Sequence, residues 1–250
     1  MFPRLLLLSF LLGLVTGCKQ DELSAPLRYE RISKITFGTP DRWEDNFYLM
    51  SYAAGGQLER VDYSFGDLRK YTLIHYEQDR PVRILVYDEE DQLIERRSLT
   101  YDADGLLASA VHVSFNTAGE ERNQSTLIFS YDAQGRRITE ERYAGYLRQV
   151  TRYEWEGANV VSTRVYNSAG KETSWITYQY GDKVNPYRGF PTYLTCTPCQ
   201  SRNNEISRDF NFAEYICEGD CRNTYLYDLD DRPILLQNHL DQVIRFSYQD

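Results

Sequence analysis

Histidine is scarce in this sequence, with three copies among 250 residues. None of them stands in the His-Glu-x-x-His pattern of zinc proteases, and the chain has neither a Gly-x-Ser-x-Gly nucleophile elbow nor a phosphate-binding glycine loop. These absences exclude the commonest enzyme signatures, so we expect a protein that is not an enzyme and that uses no cofactor. An unrecognised hydrolase is the alternative, because 37 acidic residues offer many carboxylate pairs whose separations a sequence does not give.

Basic residues are outnumbered as well. The chain has 28 lysines and arginines against 37 acids, which gives a formal net charge of −9, and no basic stripe runs along it. Affinity for nucleic acids depends on clustered Lys and Arg, so we expect no nucleic-acid partner. The same acidity makes the chain unsuited to lying on an anionic lipid surface by charge alone.

Long apolar runs are absent with one exception, residues 5–14, which follow Arg4. A run of this length is too short to span a bilayer and is typical of a secretory signal peptide. It leads into Val-Thr-Gly and then Cys18, an order that resembles the lipobox of bacterial lipoproteins. The resemblance implies that residues 1–17 are removed and that Cys18 carries the lipid that binds the mature chain to a membrane.

The residues directly after the cysteine predict where in the cell envelope the protein is located. Lys19 follows Cys18, and Asp21 and Glu22 come close behind. This order resembles the export signal of surface lipoproteins in Bacteroidetes-type bacteria, which implies an outer-membrane protein exposed at the cell surface. The alternative is an ordinary polar tether over residues 18–28 on a lipoprotein that faces the periplasm.

Tyrosine is abundant, with 21 copies against 11 Phe and 3 Trp, and it marks a repeated pattern. An aromatic residue ends an alternating stretch, Asp or Asn follows, Gly comes near the end of the turn, and an apolar residue restarts the alternation. Asp and Asn hydrogen-bond the backbone of turns and Gly accepts a positive φ there, so the pattern predicts β-hairpins. The instances are residues 76–82, 87–93, 101–107, 131–138, 166–170 and 227–234, with looser copies at 52–58 and 115–119.

Short turns of this kind join antiparallel neighbours. The sequence therefore predicts an all-β domain over residues 29–250, a single antiparallel meander of about 12–14 strands that is curled or barrel-like, because open twisted sheets rarely grow so wide.

The turn motif itself resembles the YD repeat, a Tyr-Asp pair followed by two variable residues and Gly. Tyr101-Asp102 with Gly105 and Tyr131-Asp132 with Gly135 match it well, whereas other copies lose the Gly or the Asp. With the anchor included, the chain resembles Bacteroidetes surface lipoproteins that carry a degenerate YD-repeat, porin-like β domain of unknown function. The resemblance implies fold and location, and it implies no membrane pore, because the turns are short at both ends and aromatic girdles are not evident.

Residues 183–204 interrupt this rhythm, since three prolines exclude a central strand there. An irregular segment of this length is typical of a functional loop or lid, and the alternative is a structural plug over one end of the sheet. The binding candidates within the loop are aromatic: Tyr187, Phe190 and Tyr193.

Four cysteines remain once Cys18 is lipidated: Cys196, Cys199, Cys217 and Cys221. Outside the cytosol disulfides are the expected state, and pairing 196 with 221 and 199 with 217 would staple the loop to the strands that follow it. A zinc site on the four thiolates, free thiols and a redox Cys-x-x-Cys stay open as alternatives.

Two kinds of function fit a lipidated β domain better than catalysis. The first is a non-catalytic interaction or structural module, whose partner is an unknown envelope protein or extracellular ligand. The second is a carrier or binder of an apolar or glycan ligand inside the curled sheet, since the mouths of barrels often hold ligands. A hollow interior favours the second and a filled interior favours the first.

Overall fold

The computed structural model describes residues 31–39, 42–187, 201–212, 215–217, 221–238 and 242–249, and every regular element within them is a β-strand. In chain order the strands are β1 (Ile32–Thr39), β2 (Arg42–Tyr52), β3 (Leu58–Phe65), β4 (Leu68–Glu77), β5 (Arg80–Asp88), β6 (Leu93–Tyr101), β7 (Leu107–Phe115), β8 (Glu121–Tyr131), β9 (Arg137–Ala144), β10 (Leu147–Glu156), β11 (Asn159–Tyr166), β12 (Glu172–Val184), β13 (Asn203–Phe212), β14 (Tyr215–Cys217), β15 (Thr224–Tyr227), β16 (Pro233–Gln237) and β17 (Val243–Tyr248). The predicted fold class is confirmed.

The strands form one nearly closed antiparallel barrel. Each strand from β1 to β13 pairs with the next, and β15, β16 and β17 continue around to pair with β1. β14 pairs with the end of β13, and the residues just before β15 contact the same strand through the bridge Ser207↔Arg222. β14 and β15 therefore share one position beside β13, and the 17 strands occupy 16 positions around the barrel. We call the end at which β1 begins and β17 ends the terminal end, and the opposite end the far end.

The Tyr-Asp turns fold as their side chains require. At Asp132, Oδ1 accepts hydrogen bonds of 2.9 Å from the main-chain N–H groups of both Gln134 and Arg136, and Gly135 takes a φ of 74°. The same side-chain acceptor opens the turns at Asp88, Asn116, Asn167 and Asp228. Where a copy lacks the glycine, Asp91 and Asp231 adopt the positive φ instead, since Asp tolerates this region better than most residues.

The sheet has more strands than the expected 12–14, and the excess has a local cause. Three hairpins that the tyrosine pattern does not mark turn over two residues each, within 65–68, 144–147 and 156–159, with Gly66, Gly145 and Gly157 at φ values of 56–57°. These tight turns carry no Tyr-Asp pair. A strand count based on the Tyr-Asp turns alone is therefore too low.

One face of the sheet carries most of the buried residues. The register places buried or half-buried apolar side chains opposite one another from strand to strand, as in the pairs Ile35↔Tyr48, Ile74↔Ile84, Leu99↔Ala110, Tyr225↔Leu236 and Ile35↔Phe246. Residues that pair directly share a face. In a closing sheet with no second layer only the concave face can be enclosed, so this face lines the lumen.

The convex face is polar and ion-paired. Its salt bridges join Arg60 to Asp62, Arg96 to Glu121, Arg148 to Glu141 and Arg164 to Glu172, at 2.6–3.1 Å. Charged side chains on the outside of a barrel destabilise contact with lipid and suit contact with water. The outer surface of the described barrel therefore has the character of a solvated surface. Among the described residues no helix is long and apolar enough to cross a membrane.

Candidate functional site in the barrel lumen

Aromatic side chains tie the strands together at the terminal end. An aromatic donor near the end of one strand bonds to a main-chain carbonyl at the start of the preceding strand, at 2.7–2.9 Å. The pairs are Tyr52–Ile32, Tyr76–Leu58, Tyr101–Pro81, Tyr131–Leu107, Trp155–Arg137, Tyr180–Val160 and Tyr248–Pro233. Burial raises the pKa of Tyr52 and of Tyr101 to about 12, so these hydroxyls stay protonated donors. We call this ring of bonds the aromatic clamp.

The irregular loop enters the lumen at both of its described ends. Asn185 and Ser201 are 5% and 0% exposed, and the Asn185 amide donates to the Ser201 carbonyl at 3.2 Å. The Tyr187 ring packs edge-on against Phe246, with ring centroids 5.6 Å apart. Tyr187, predicted as a binding residue, thus lies inside the barrel at the terminal end.

A pocket of about 190 Å³ lies beside Tyr187. Its walls combine tyrosine rings, asparagine amides, one ion pair and aliphatic side chains: Tyr178, Asn185, Tyr187, Glu205, Arg208, Asn223, Tyr225, Leu236, Asn238 and Ile244. We call it the inner pocket. A small number of polar groups set among aromatic walls is the usual composition of a small-molecule site, although this pocket is below the roughly 300 Å³ of a drug-sized one.

Glu205 is the charged centre of the inner pocket. Its carboxylate accepts hydrogen bonds from Arg208 Nη2 at 3.0 Å and from Asn223 Nδ2 at 3.2 Å. Burial raises the pKa of Glu205 above its usual value, and Arg208 and Asn223 oppose this only in part. Burial, helped by the Glu205 charge, also raises the pKa of Tyr225. Perturbed pKa values beside a cavity mark a candidate functional site.

The lumen is wider and more polar toward the far end. A cavity of about 650 Å³ is lined by His112, Ser114, Arg122, Asn123, Gln124, Ser125, Arg142, Ala144 and Gly145. We call it the far-end cavity. A second cavity, of about 360 Å³, shares Arg142 and Ala144 with the first, and its other lining residues are Leu147, Arg148, Gln149, Asn167 and Thr173. Arg142 and Gln149 face the lumen by register and are nevertheless exposed, so the barrel is open to solvent here.

A charged cluster lies on the lumen wall next to the far-end cavity. Glu95 Oε2 is 3.3 Å from His112 Nε2 and 3.7 Å from Arg97 Nη2. Deeper in the barrel, the 4% exposed Arg137 lies 3.7 Å from Glu140 and over the Phe129 ring at 4.1 Å. The lumen therefore holds paired charges on several strands.

Most of the predicted site residues lie outside the described part of the chain. These are Cys18, Lys19, Asp21, Glu22, Phe190, Tyr193, Cys196 and Cys199, and of Cys217 only the backbone is described. Cys221 is 1% exposed, and its disulfide pairing stays a prediction. The described residues contain no cluster of His, Cys, Asp and Glu with the geometry of a metal site.

Sequence reasoning missed the polar residues that give the lumen its chemistry. Glu205 and Arg208 belong to no motif, and only their position directly after the irregular segment 183–204 could have drawn attention to them. Arg142 carried no signal at all. These residues come together because the register of separate strands points them into one enclosed space.

Comparisons with known proteins agree with this architecture. The model of the Teneurin YD-shell family matches residues 30–185. Among solved structures, a porin-like protein from Bacteroides vulgatus superposes with a TM-score of 0.55 at 13% identity, over 88% of this chain and 99% of that one. A porin-like protein from Bacteroides uniformis gives 0.53 at 11% identity, over 87% and 98%. At these identities the likeness shows a shared fold. A comparison with curated proteins gives no match.

Proposed function

Because the chain belongs to the Teneurin YD-shell family and is a structural β module, we propose that it serves as a lipid-anchored, non-catalytic interaction module on the outer membrane. Cys18 holds the lipid, and Lys19, Asp21 and Glu22 direct the protein to the cell surface. Its partner is an envelope protein or an extracellular ligand.

The main support for this proposal is the polar outer surface of the barrel and the turns at its ends. Its convex face is ion-paired and suits water, and its short turns at both ends present side chains to the surroundings. A barrel of this kind needs a separate attachment to stay at a membrane, and the lipobox-like sequence before residue 18 supplies one. β1 begins at the terminal end with Ile32, 14 residues after Cys18, and a chain of 14 residues reaches at most about 50 Å. The terminal end then lies nearest the membrane and the far end is turned away from it.

We also propose that two disulfides, Cys196–Cys221 and Cys199–Cys217, staple the loop to the barrel wall. The burial of Cys221, just before β15, supports this pairing, as do the buried loop ends at Asn185 and Ser201. A loop closed over about 20 residues gains roughly 3 kcal/mol in the chain-entropy model. The staple keeps Tyr187 in place as a wall of the inner pocket.

A second candidate function, the binding of a ligand inside the barrel, is favoured by the cavities. The inner pocket offers tyrosine faces with amides and an ion pair, which suits a sugar ring or a small apolar ring with polar substituents. The far-end cavity offers a second place in the lumen for a ligand.

The anchor is tested by replacing Cys18 with Ser and fractionating the cells. We expect the wild-type chain in the outer-membrane fraction, digested by protease added to intact cells, and the C18S chain no longer membrane-bound. Lys19→Ala with Asp21→Ala and Glu22→Ala should keep the lipid but protect the chain from external protease. Membrane retention of the C18S chain would contradict the anchor, and full protease access in the triple variant would contradict the export signal.

A further inference from the structure

The far-end cavity carries positive charge although the chain as a whole is acidic. Arg122 and Arg142 both line it, together with serine, asparagine and glutamine side chains, and no carboxylate is among the lining residues. The chain as a whole has a net charge of −9. A cationic cavity in an acidic protein is an attractive place for an anion.

Arg142 is directed into this space by the register of its strand. It lies on β9 opposite Leu127 of β8 and Gln149 of β10, on the lumen face, and it borders both far-end cavities. Arg148, on the neighbouring strand, borders the second cavity but is held by Glu141 at 2.8 Å. Within the described part of the chain Arg142 has no ion-pair partner, so its guanidinium is available to a ligand.

Arg122 reaches the same cavity through a bulge. The register of β7 with β8 shifts between Ser114↔Asn123 and Phe115↔Glu121, which leaves Arg122 as the extra residue. A β-bulge re-aims the side chain of the inserted residue. Arg122 is exposed and, in the described ranges, has no ion-pair partner either.

The carboxylate of Glu95, next to the cavity, is paired and leaves the cavity positive. Glu95 Oε2 lies 3.3 Å from His112 Nε2 and 3.7 Å from Arg97 Nη2. The positive charge of Arg97 offsets the negative charge of Glu95. Arg122 and Arg142 thus supply two positive charges that no neighbouring described carboxylate neutralises. Two guanidinium groups are well matched to a carboxylate or sulfate, which they can bind through paired, charge-assisted hydrogen bonds.

We propose that the far-end cavity binds an acidic saccharide, with Arg122 and Arg142 on its carboxylate or sulfate. Ser114, Asn123 and Gln124 offer hydroxyl and amide groups to sugar hydroxyls, and Ala144 is the only apolar side chain in the lining, which favours a saccharide over a peptide. The volume of about 650 Å³ is in the usual range for a ligand of a few rings. This inference rests on the second candidate function, ligand binding inside the barrel. It adds the charge of the ligand and the residues that recognise that charge.

The test is titration calorimetry on the full chain purified from membranes in detergent. The probes are a hyaluronan tetrasaccharide, a chondroitin sulfate tetrasaccharide and the neutral maltotetraose. We expect at least one acidic probe to bind, maltotetraose not to bind, and added sodium chloride to weaken binding. Arg142→Gln should weaken binding by about tenfold or more, since a charge-assisted pair is lost. Arg164→Gln is the control: Arg164 lies on the convex face, binds Glu172 at 3.1 Å and borders neither cavity, so this variant should bind like the wild type.

The outcomes separate this proposal from the broader one. Equal binding of maltotetraose, or equal weakening by R142Q and R164Q, contradicts a lumen anion site. Acidic binding that survives R142Q but is lost in Tyr187→Ala overturns the far-end assignment and leaves ligand binding in the inner pocket intact. If none of the probes binds up to millimolar concentration, the acidic-saccharide proposal is overturned while the interaction module stands.

Discussion

The hydroxyl of Tyr131, at the end of β8, donates a hydrogen bond of 2.8 Å to the main-chain carbonyl of Leu107, at the start of β7. The two residues are 24 positions apart, and the register of β8 with β9 shifts at the same tyrosine. The bond therefore joins the turn after β8 to the turn before β7. Repeated around the terminal end, it links successive hairpins into a ring.

Removing this hydroxyl tests the aromatic clamp. Tyr131→Phe leaves the ring in place but leaves the Leu107 carbonyl without its donor, so we expect the free energy of unfolding to fall by about 1–2 kcal/mol. Tyr146→Phe is the control, because Tyr146 is fully exposed at the tip of the β9–β10 hairpin. Urea unfolding followed by tyrosine fluorescence measures both. Equal losses for the two variants would contradict a special role of the clamp.

The hydrogen bonds of the Tyr-Asp turn predict that the free energy of unfolding depends on pH. At Asp132 burial raises the pKa, but hydrogen bonds from the Arg136 backbone and side chain and from the Gln134 backbone outweigh it, so the pKa lies below the ordinary 3.8. A lowered pKa in the folded state gives stability that is present above the ordinary value and lost as the pH falls through the folded value. We expect the stability difference between wild type and Asp132→Asn to shrink as the pH falls below 3.8. Urea midpoints of the two chains, followed from neutral pH downward, measure this difference.

Glu205 predicts the opposite trend. Its pKa is raised by burial above the ordinary 4.5, so its favourable contribution is complete below that value and is lost as the pH rises through the folded value. Relative to wild type, Glu205→Gln should therefore gain stability as the pH rises from 4.5 toward neutrality. Glu172→Gln on the convex face, where Glu172 binds Arg164 at 3.1 Å, serves as the control. A parallel response of the two variants would show that burial of Glu205 has no influence on stability.

The cysteines give a prediction that mass spectrometry checks directly. Two disulfides among Cys196, Cys199, Cys217 and Cys221 make the intact unreduced chain lighter by four hydrogens than the reduced chain. Peptide mapping without reduction should then recover the pairs 196–221 and 199–217. Zinc found by metal analysis in stoichiometric amount, with all four thiols free, would show that the alternative metal site is correct.

The local chemistry of the turns was readable from the sequence, because it depends on residues only a few positions apart. Asp132 and Gly135 have their turn roles wherever the chain places them, and the alternation on each side determines strands and antiparallel pairing. The same local reasoning missed the tight hairpin at Gly145, since that turn has no Tyr-Asp pair.

The lumen could not be read in this way, because it is made by residues from distant strands. Arg142 on β9 and Glu205 on β13 look like ordinary strand charges in the sequence. Whether such a side chain faces solvent or the lumen depends on the register, and a bulge such as the one at Arg122 changes it locally.

The sequence by itself determined an antiparallel β protein built of repeated hairpins, because hydrogen bonds within each turn and the alternation along each strand are local properties. Only the tertiary structure decided that the sheet curls until β17 meets β1, and that Tyr187 lies inside while the Arg148–Glu141 pair lies outside. The physical reason is that closure depends on the twist and bulges summed over all the strands, and burial follows from closure.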